Sequence, residues 1–337
     1  MPVTLAQAKL TVTDDVDVQI IDEFAKSNDV LNRLTFDPCV SGAGNGATLT
    51  YSYTRQITQR GAAFRAINAE YVPAEATKQR YSVDLKPLGG SFQIDRVLDA
   101  VGQAAETAFQ MRELVKAASA RFTDAFFNGD TAGAADAANG FDGLSKLLTG
   151  TATEYLPLTN GATLGYRDWA GVDTKAEAIA EIEALDEWLA LLDGTPDVIY
   201  GNKKVLAKFK RLAMWADQYE KTTDAFGRTV HTYNGIPLID PLQIAGANTD
   251  VLPLVSRDTD GAGAGGMITN LGDLYAVRFA LDGVHAVQQA GQPFVRNWMP
   301  DFTTAGAVKT GEAEVAPVAV VVKKTKSAAV FRNIKVA

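Results

Sequence analysis

Apolar positions along this chain follow two rhythms, and the switches between them mark its parts. Between Ala104 and Phe126 they recur every three or four residues: Ala104, Ala108, Met111, Val115, Ala118, Phe122 and Phe126. That spacing lines one face of a single helix. Roughly 25 residues at about 1.5 Å each make a rod of about 37 Å. Asn128 and Gly129 follow; both tolerate left-handed backbone and so predict the helix end. A short strand, Ser91–Asp95, and a helical turn to Gly102 lead into the rod, and a turn through Asn139, Gly140, Asp142 and Gly143 leads out to Leu144–Leu148. The rod and its flanks read as the support for everything else.

Ahead of the rod the pattern alternates. Thr48–Thr54 and Tyr81–Leu85 switch between apolar and polar positions, as strands do. The stretch between them is basic, with Arg55, Arg60, Arg65, Lys78 and Arg80. Residues 47–90 therefore predict a long two-stranded excursion with a basic tip. An isolated hairpin is marginal in water, so this one needs a surface outside itself to lie on. Residues 1–46 are acidic and weakly patterned. Val16, Ile20, Ile21 and Phe24 predict one short amphipathic helix carrying Asp14, Asp15 and Asp17; the remainder reads as an extended arm.

Beyond the rod, Asp173 is placed as the cap of a helix whose buried face is Ala176, Ile179, Ile182, Leu185, Trp188 and Leu189. Asp197–Tyr200 reads as a buried strand, and Asn202 as the cap of a basic helix around Val205, Leu206, Phe209 and Leu212. Strands follow at Gly235–Ile239 and Leu274–Arg278, making residues 146–284 a mixed α/β unit. The rest favours strands: Val284–Val287, Phe294–Trp298, Ala316–Lys323 and Ala328–Lys335.

Charge and composition narrow the functions. A formal charge of −8 over 337 residues argues against gripping nucleic acid by overall field. The single cysteine, Cys39, rules out an intrachain disulfide and a cysteine-rich zinc site, and it is expected to be a buried small hydrophobe. No window approaches about 18 uninterrupted apolar residues, so no membrane span is expected.

Catalytic motifs are sparse. Gly261–Gly266 lacks the lysine and helix of a phosphate loop and reads as a surface loop. Lys309-Thr310-Gly311 matches one β-lactamase motif without the Ser-x-x-Lys nucleophile. His231 and His285 stand alone among apolar or small neighbours and read as ordinary packed or surface histidines. Asp130, Asp136 and Asp142 lie in Gly/Asn-rich loops, where short carboxylates bond their own backbone. Carboxylate pairs for glycoside hydrolysis stay open, since sequence does not give their separation. The acid-free stretch Lys323, Lys324, Lys326, Arg332, Lys335 fits a DNA-facing surface or a solvated strand edge. No cofactor or metal is expected.

The order of parts carries a resemblance. An acidic arm, a long basic hairpin, a spine helix ending Phe126-Phe127-Asn128-Gly129-Asp130, and Gly140-Phe141-Asp142-Gly143-Leu144 come first. An α/β unit with Asp197–Asn202 leading into a helix, and final strands through Phe331–Lys335, complete it. Taken together the chain resembles the major capsid proteins of tailed bacteriophages, with the Hong Kong 97 fold. The resemblance implies an α+β chain with an N-terminal arm (1–46), an extended loop (47–90), a peripheral domain (91–145 and 285–337) and an axial domain (146–284). It further implies hexamers and pentamers closing into an icosahedral shell around double-stranded DNA without sequence-specific binding, in a virion assembled in the bacterial cytoplasm.

Arg55, Arg60, Arg65, Lys78 and Arg80 of the loop and Asp14, Asp15 and Asp17 of the arm are the expected inter-subunit contacts, basic against acidic. A separate scaffolding protein, a portal and a decoration protein are the other expected partners. Some members join subunits by a lysine–asparagine bond; here Lys78 and Lys86 flank the loop and Asn297 and Asn333 lie late in the chain, but nothing in their spacing selects a pair and the link is not carried over. An encapsulin-like nanocompartment shell and an α/β enzyme are the alternative functions.

Overall fold

The computed structural model describes residues 29–40, 48–101, 105–133, 138–157, 165–223, 229–247, 249–258, 267–291 and 293–337. The expected arm helix with Asp14, Asp15 and Asp17, the Gly42–Gly46 run, Ala104, Asp136 and the Gly261–Gly266 loop lie outside the described residues.

In chain order the elements begin with α1 (Asp29–Arg33), β1 (Phe36–Val40), β2 (Thr50–Gln56), β3 (Lys78–Asp84) and β4 (Lys86–Asp95). Next come α2 (Arg96–Val101), the spine α3 (Ala105–Asn128), α4 (Leu144–Leu148), β5 (Glu154–Tyr155) and β6 (Arg167–Asp168). Then follow α5 (Lys175–Leu189), β7 (Val198–Gly201), α6 (Lys203–Trp215), β8 (Glu220–Thr223), β9 (Thr229–Tyr233) and β10 (Ile236–Ile239). The chain closes with β11 (Val255–Asp258), β12 (Met267–Val277), β13 (Val284–Gln289), β14 (Val295–Trp298), β15 (Val308–Val322) and β16 (Ala328–Lys335).

Among the described residues the strands form two large sheets and one hairpin. The first sheet runs β1-β13-β15-β14, with β4 also paired to the long β15. The second runs β5-β16-β12-β7-β10-β9-β8, with β11 on β12 and β6 on β16. The spine packs between them. Phe122, Phe126 and Phe127 share one core with Val318, Val320, Val284 and Val287 of the first sheet and with Val198, Tyr200, Tyr275 and Val277 of the second. Period-two alternation sends the other face of the second sheet, Ile199, Leu274, Ala276 and Phe331, against Trp188 of α5 and Phe209 of α6. A strand buried on both faces has no polar positions, which is why Val198-Ile199-Tyr200 reads as an unbroken apolar run.

Helix ends are set by particular groups. Thr174, one residue after the expected Asp173, caps α5 in a reciprocal box with Glu177. Asn202 caps α6 as expected, accepting from the Lys204 amide at 2.9 Å. Gly129 ends the spine for a different reason from the one expected. Neither Asn128 nor Gly129 adopts a positive φ. A Cβ on Gly129 would instead lie 2.2 Å from the Phe141 carbonyl oxygen, because the Gly129 carbonyl accepts from the Gly143 amide at 2.8 Å.

Other expectations need correcting. The spine stripe holds from Met111 onward, but Ala108 is exposed while Glu106 and Thr107 are buried; Thr107 Oγ1 donates to Asp99 of α2 at 2.6 Å, which turns that face inward. On α5, Ala176 and Ile179 are exposed and Ala178 takes the inner position. The last strand does not join the first sheet as the expected division implies. β16 pairs antiparallel to β12, Leu274 opposite Phe331, within the second sheet. The end of the arm is not free either: β1 pairs parallel with β13, and Val30 and Leu34 are buried. Cys39 is exposed rather than buried.

Candidate inter-subunit surface: the hairpin and its root

The third sheet is the hairpin, and it is shorter than the sequence predicts. Strands β2 and β3 pair from Thr50–Asp84 to Gln56–Lys78, and the remaining residues, 57–77, form no strand. The Ile57 amide donates to the Thr77 carbonyl at 2.9 Å, and the Thr58 and Thr77 hydroxyls lie 2.8 Å apart, closing a neck beneath this strap.

Alternation decides what the root does. Tyr51, Tyr53 and Arg55 occupy one face of β2, with Tyr81 opposite Tyr53. The tyrosine rings stack, Tyr53 to Tyr81 at 5.6 Å and to Tyr51 at 6.1 Å. The Arg55 guanidinium lies over Tyr81 at 4.5 Å. It donates from Nη2 to the Val322 carbonyl at 2.7 Å and from Nε to the Lys323 carbonyl at 2.9 Å, while the Tyr53 hydroxyl donates to Val322 at 3.1 Å. Burial holds the Tyr53 hydroxyl above the usual phenol range, more than the neighbouring Arg55 lowers it. Three bonds thus seat the root on the last carbonyl of β15 and the one that follows it. Behind β3, a cleft of about 340 Å³ separates the root from Phe141 and Asp142, so the β2 side carries the attachment.

The strap is the reverse. Phe64, Ile67 and Val72 are 107%, 90% and 91% exposed. Arg65 donates to the carbonyls of Ala66 and Ala69 and lies 5.4 Å from the Tyr71 ring, a contact internal to the strap.

The expected contact residues divide accordingly. Arg60, Arg65, Lys78 and Arg80 are exposed on the hairpin, Arg80 donating to Ser52 at 3.0 Å. Arg55 is instead engaged by its own chain, because the alternation that exposes Arg80 turns Arg55 inward. The sequence reading passed over Phe64, Ile67 and Val72. Their signal was present, large apolar side chains in a stretch with no strand or helix period, but the arginines drew the argument to charge.

Residues tested for chemistry resolve into structure. Lys146 bridges Asp130 and Asp142 at 2.6 and 2.9 Å, and these carboxylates accept from the Ala132 and Thr131 amides, which is turn chemistry. His231 Nδ1 lies 2.6 Å from the Tyr219 hydroxyl. Gly311 of the Lys-Thr-Gly run faces the Phe92 ring, 2.5 Å from where a Cβ would stand. Asn333 is buried, donating to the Gly165 carbonyl at 3.0 Å. No group of carboxylates, histidines or cysteines able to hold a metal occurs among the described residues, and none of their helices is long and apolar enough to cross a membrane.

No family model matches the sequence, and no curated protein matches it. Solved structures do. A capsid chain of a native GTA particle superposes with a TM-score of 0.55 at 16% identity, covering 98% of each chain. A chain from Mycobacterium phage Bobi gives 0.53 at 13%, covering 98% of this chain and 99% of that one. The SrpI encapsulin complex of Synechococcus elongatus gives 0.56 at 13%, covering 100% and 98%.

The chain has the Hong Kong 97 capsid fold. The long helix α3 and the hairpin of β2, the strap and β3 are the elements expected from the sequence as spine and extended loop. The superpositions run over nearly the whole of each chain, whereas identities this low carry no residue role across.

Proposed function

We propose that this protein is a major capsid protein, whose hexamers and pentamers close into the icosahedral head of a tailed bacteriophage around double-stranded DNA. The strap carries the reading: Phe64, Ile67 and Val72 stand in water at the end of a root that is firmly seated. Burying such a side chain gains about 1.5–3 kcal/mol, and the surface that supplies this gain is a neighbouring copy. The first sheet with the spine acts as the peripheral domain, and the second sheet with α5 and α6 as the axial domain around each capsomer's centre. A separate scaffolding protein, a portal and a decoration protein complete the assembly in the host cytoplasm.

A structural rather than catalytic role agrees with the histidines, one bonded to Tyr219 and the other sealed in the interior. A nanocompartment shell is the second reading, favoured by the encapsulin superposing as well as the phage capsids do.

The test is removal of residues 59–75, which leaves neck and root intact. The deleted chain is expected to fold and to sediment as monomers or capsomers, while the full chain forms closed particles under the electron microscope. Normal shells from the deletion would refute the bridging role. Nuclease-protected DNA inside native particles supports the phage head; protein cargo without DNA supports the nanocompartment.

A further inference from the structure

His285 lies on β13 beneath the root of the extended loop. It is fully buried, and neither ring nitrogen meets a partner in good hydrogen-bond geometry, though the Gly283 backbone lies near enough to draw its proton; this is costly for a charged ring and much less so for a neutral one. Each element around it presents an identifiable group. From β2, Tyr51 meets the imidazole edge-on, ring centroids 6.4 Å apart and planes at 89°. Just past the end of β15, Lys323 places its ammonium 5.6 Å from the centre of the Tyr51 ring. From β1, Asp37 offers a carboxylate, and in the turn just before β13 the Gly283 backbone adds a second attraction for a proton. Burial and the Lys323 ammonium oppose these two and prevail, so the ring binds protons less readily than a free imidazole.

We infer that His285 is a proton-operated latch: neutral, it lets Tyr51, Tyr53 and Arg55 seat on the body, and charged, it drives the root of the extended loop off. The loop is the element that yields. β13 is locked between β1 and β15 in the first sheet, with Val321 and Val322 buried beside it. The hairpin is two strands wide, and it is held by three side-chain bonds to two carbonyls and by Tyr51, Tyr53 and Val83 packed on the core. Lifting it brings water to the ring, separates Tyr51 from Lys323 and leaves both sheets unbroken.

A group whose proton affinity is depressed by folding stabilises the seated state above its unfolded value. For histidine that stability is complete above about pH 6.5 and is lost as pH falls toward the depressed folded value. Carboxylates titrate lower, near about pH 4, so the window from about pH 7.5 to about pH 5.5 isolates the imidazole. The inference deepens the shell reading by giving its bridging element a control. It is read on the root of the chain itself, so its failure and that of the shell reading are distinguishable.

The experiment is hydrogen exchange across residues 50–56 in the purified full-length protein, corrected for intrinsic exchange rates, with His285→Phe and His285→Gln alongside. Protection in the native protein is expected to fall about tenfold for each unit of pH by which the folded proton affinity is depressed, within that window. His285→Phe keeps the ring contact with Tyr51 and is expected to lose the pH dependence. Equal loss in His285→Phe, or no loss in the native protein, would overturn the inference. Should both variants fail to fold, isotope-labelled imidazole is followed in a His231→Asn background, which leaves one histidine. Ring and root signals changing together support the latch; a ring that titrates while the root stays still rejects it.

Discussion

Arg257 and Asp273 face each other two-pronged, Nη1 to Oδ1 at 2.6 Å and Nη2 to Oδ2 at 2.7 Å. The same carboxylate accepts from Arg332 at 3.4 Å and from the Asn333 amide at 3.1 Å. Arg332 also pairs with Glu154 and donates to the Ser145 carbonyl at 2.8 Å. One buried acid on β12 thereby ties the edge strand β11, the last strand and the α4 turn beyond the spine. Asp273→Ala leaves two guanidinium groups short of a partner, and breaking a buried pair costs about 3–5 kcal/mol. With Arg257 a third exposed, the loss is expected at the lower end. The measurement is the denaturant midpoint of the variant against the native chain.

The spine's end is set by space. Gly129→Ala puts a methyl 2.2 Å from the Phe141 carbonyl and 2.6 Å from that of Ala125, and overpacking costs about 1–3 kcal/mol or more. A lower melting temperature and a poorer soluble yield are expected. An unchanged melting temperature would show that the 129–143 crossing gives way easily.

Tyr53→Phe removes one bond to the Val322 carbonyl and keeps the ring stack. A neutral bond contributes about 0.5–1.5 kcal/mol, so exchange over residues 50–56 should rise severalfold while global unfolding moves little. Arg55→Ala removes two bonds to main-chain carbonyls, a third to the Tyr53 hydroxyl and the stacked guanidinium, and should have the larger effect.

Arg60 and Arg65 are exposed. Reversing both to glutamate should raise the subunit concentration needed for assembly, and raise it less at high salt, where such contacts are screened. Light scattering against concentration reads the threshold, and an unchanged value counts against charge-guided docking.

Lys146 holds the Asp130 and Asp142 carboxyls below their usual range. At Asp130 the Lys146 bond leads, helped by the Ala132 amide. At Asp142 burial works the other way, and the Thr131 amide and Lys146 overcome it. Stability from such acids is present above their unfolded values and lost as pH falls through the depressed ones, below about pH 4. Lys146→Met should therefore unfold at a higher pH on acid titration, and matching acid-unfolding curves would contradict this.

Local signals were readable because their causes are local. The Phe122–Phe126 spacing gave the spine, Asn202 gave a cap, and the Val198–Tyr200 run gave a strand buried on both faces. Pairing was not readable: nothing within Ala328–Lys335 says that Phe331 lies opposite Leu274 rather than beside β15, since both addresses accept an apolar strand. Nor does Cys39 announce its exposure, because β1 is short and its sheet neighbour, β13, is remote in sequence. At the hairpin the alternation was legible, but the inward turn of Arg55 depended on two carbonyls about 270 residues away, and no sequence window spans that distance.

Arg55 and Tyr53 address main-chain oxygens of residues 322 and 323 rather than side chains. Every amino acid brings the same carbonyl, so mutation at those two sites leaves the acceptors where they were. A joint of this kind can outlast the drift of its surroundings, with selection acting on the donor residues and on the path of the chain alone.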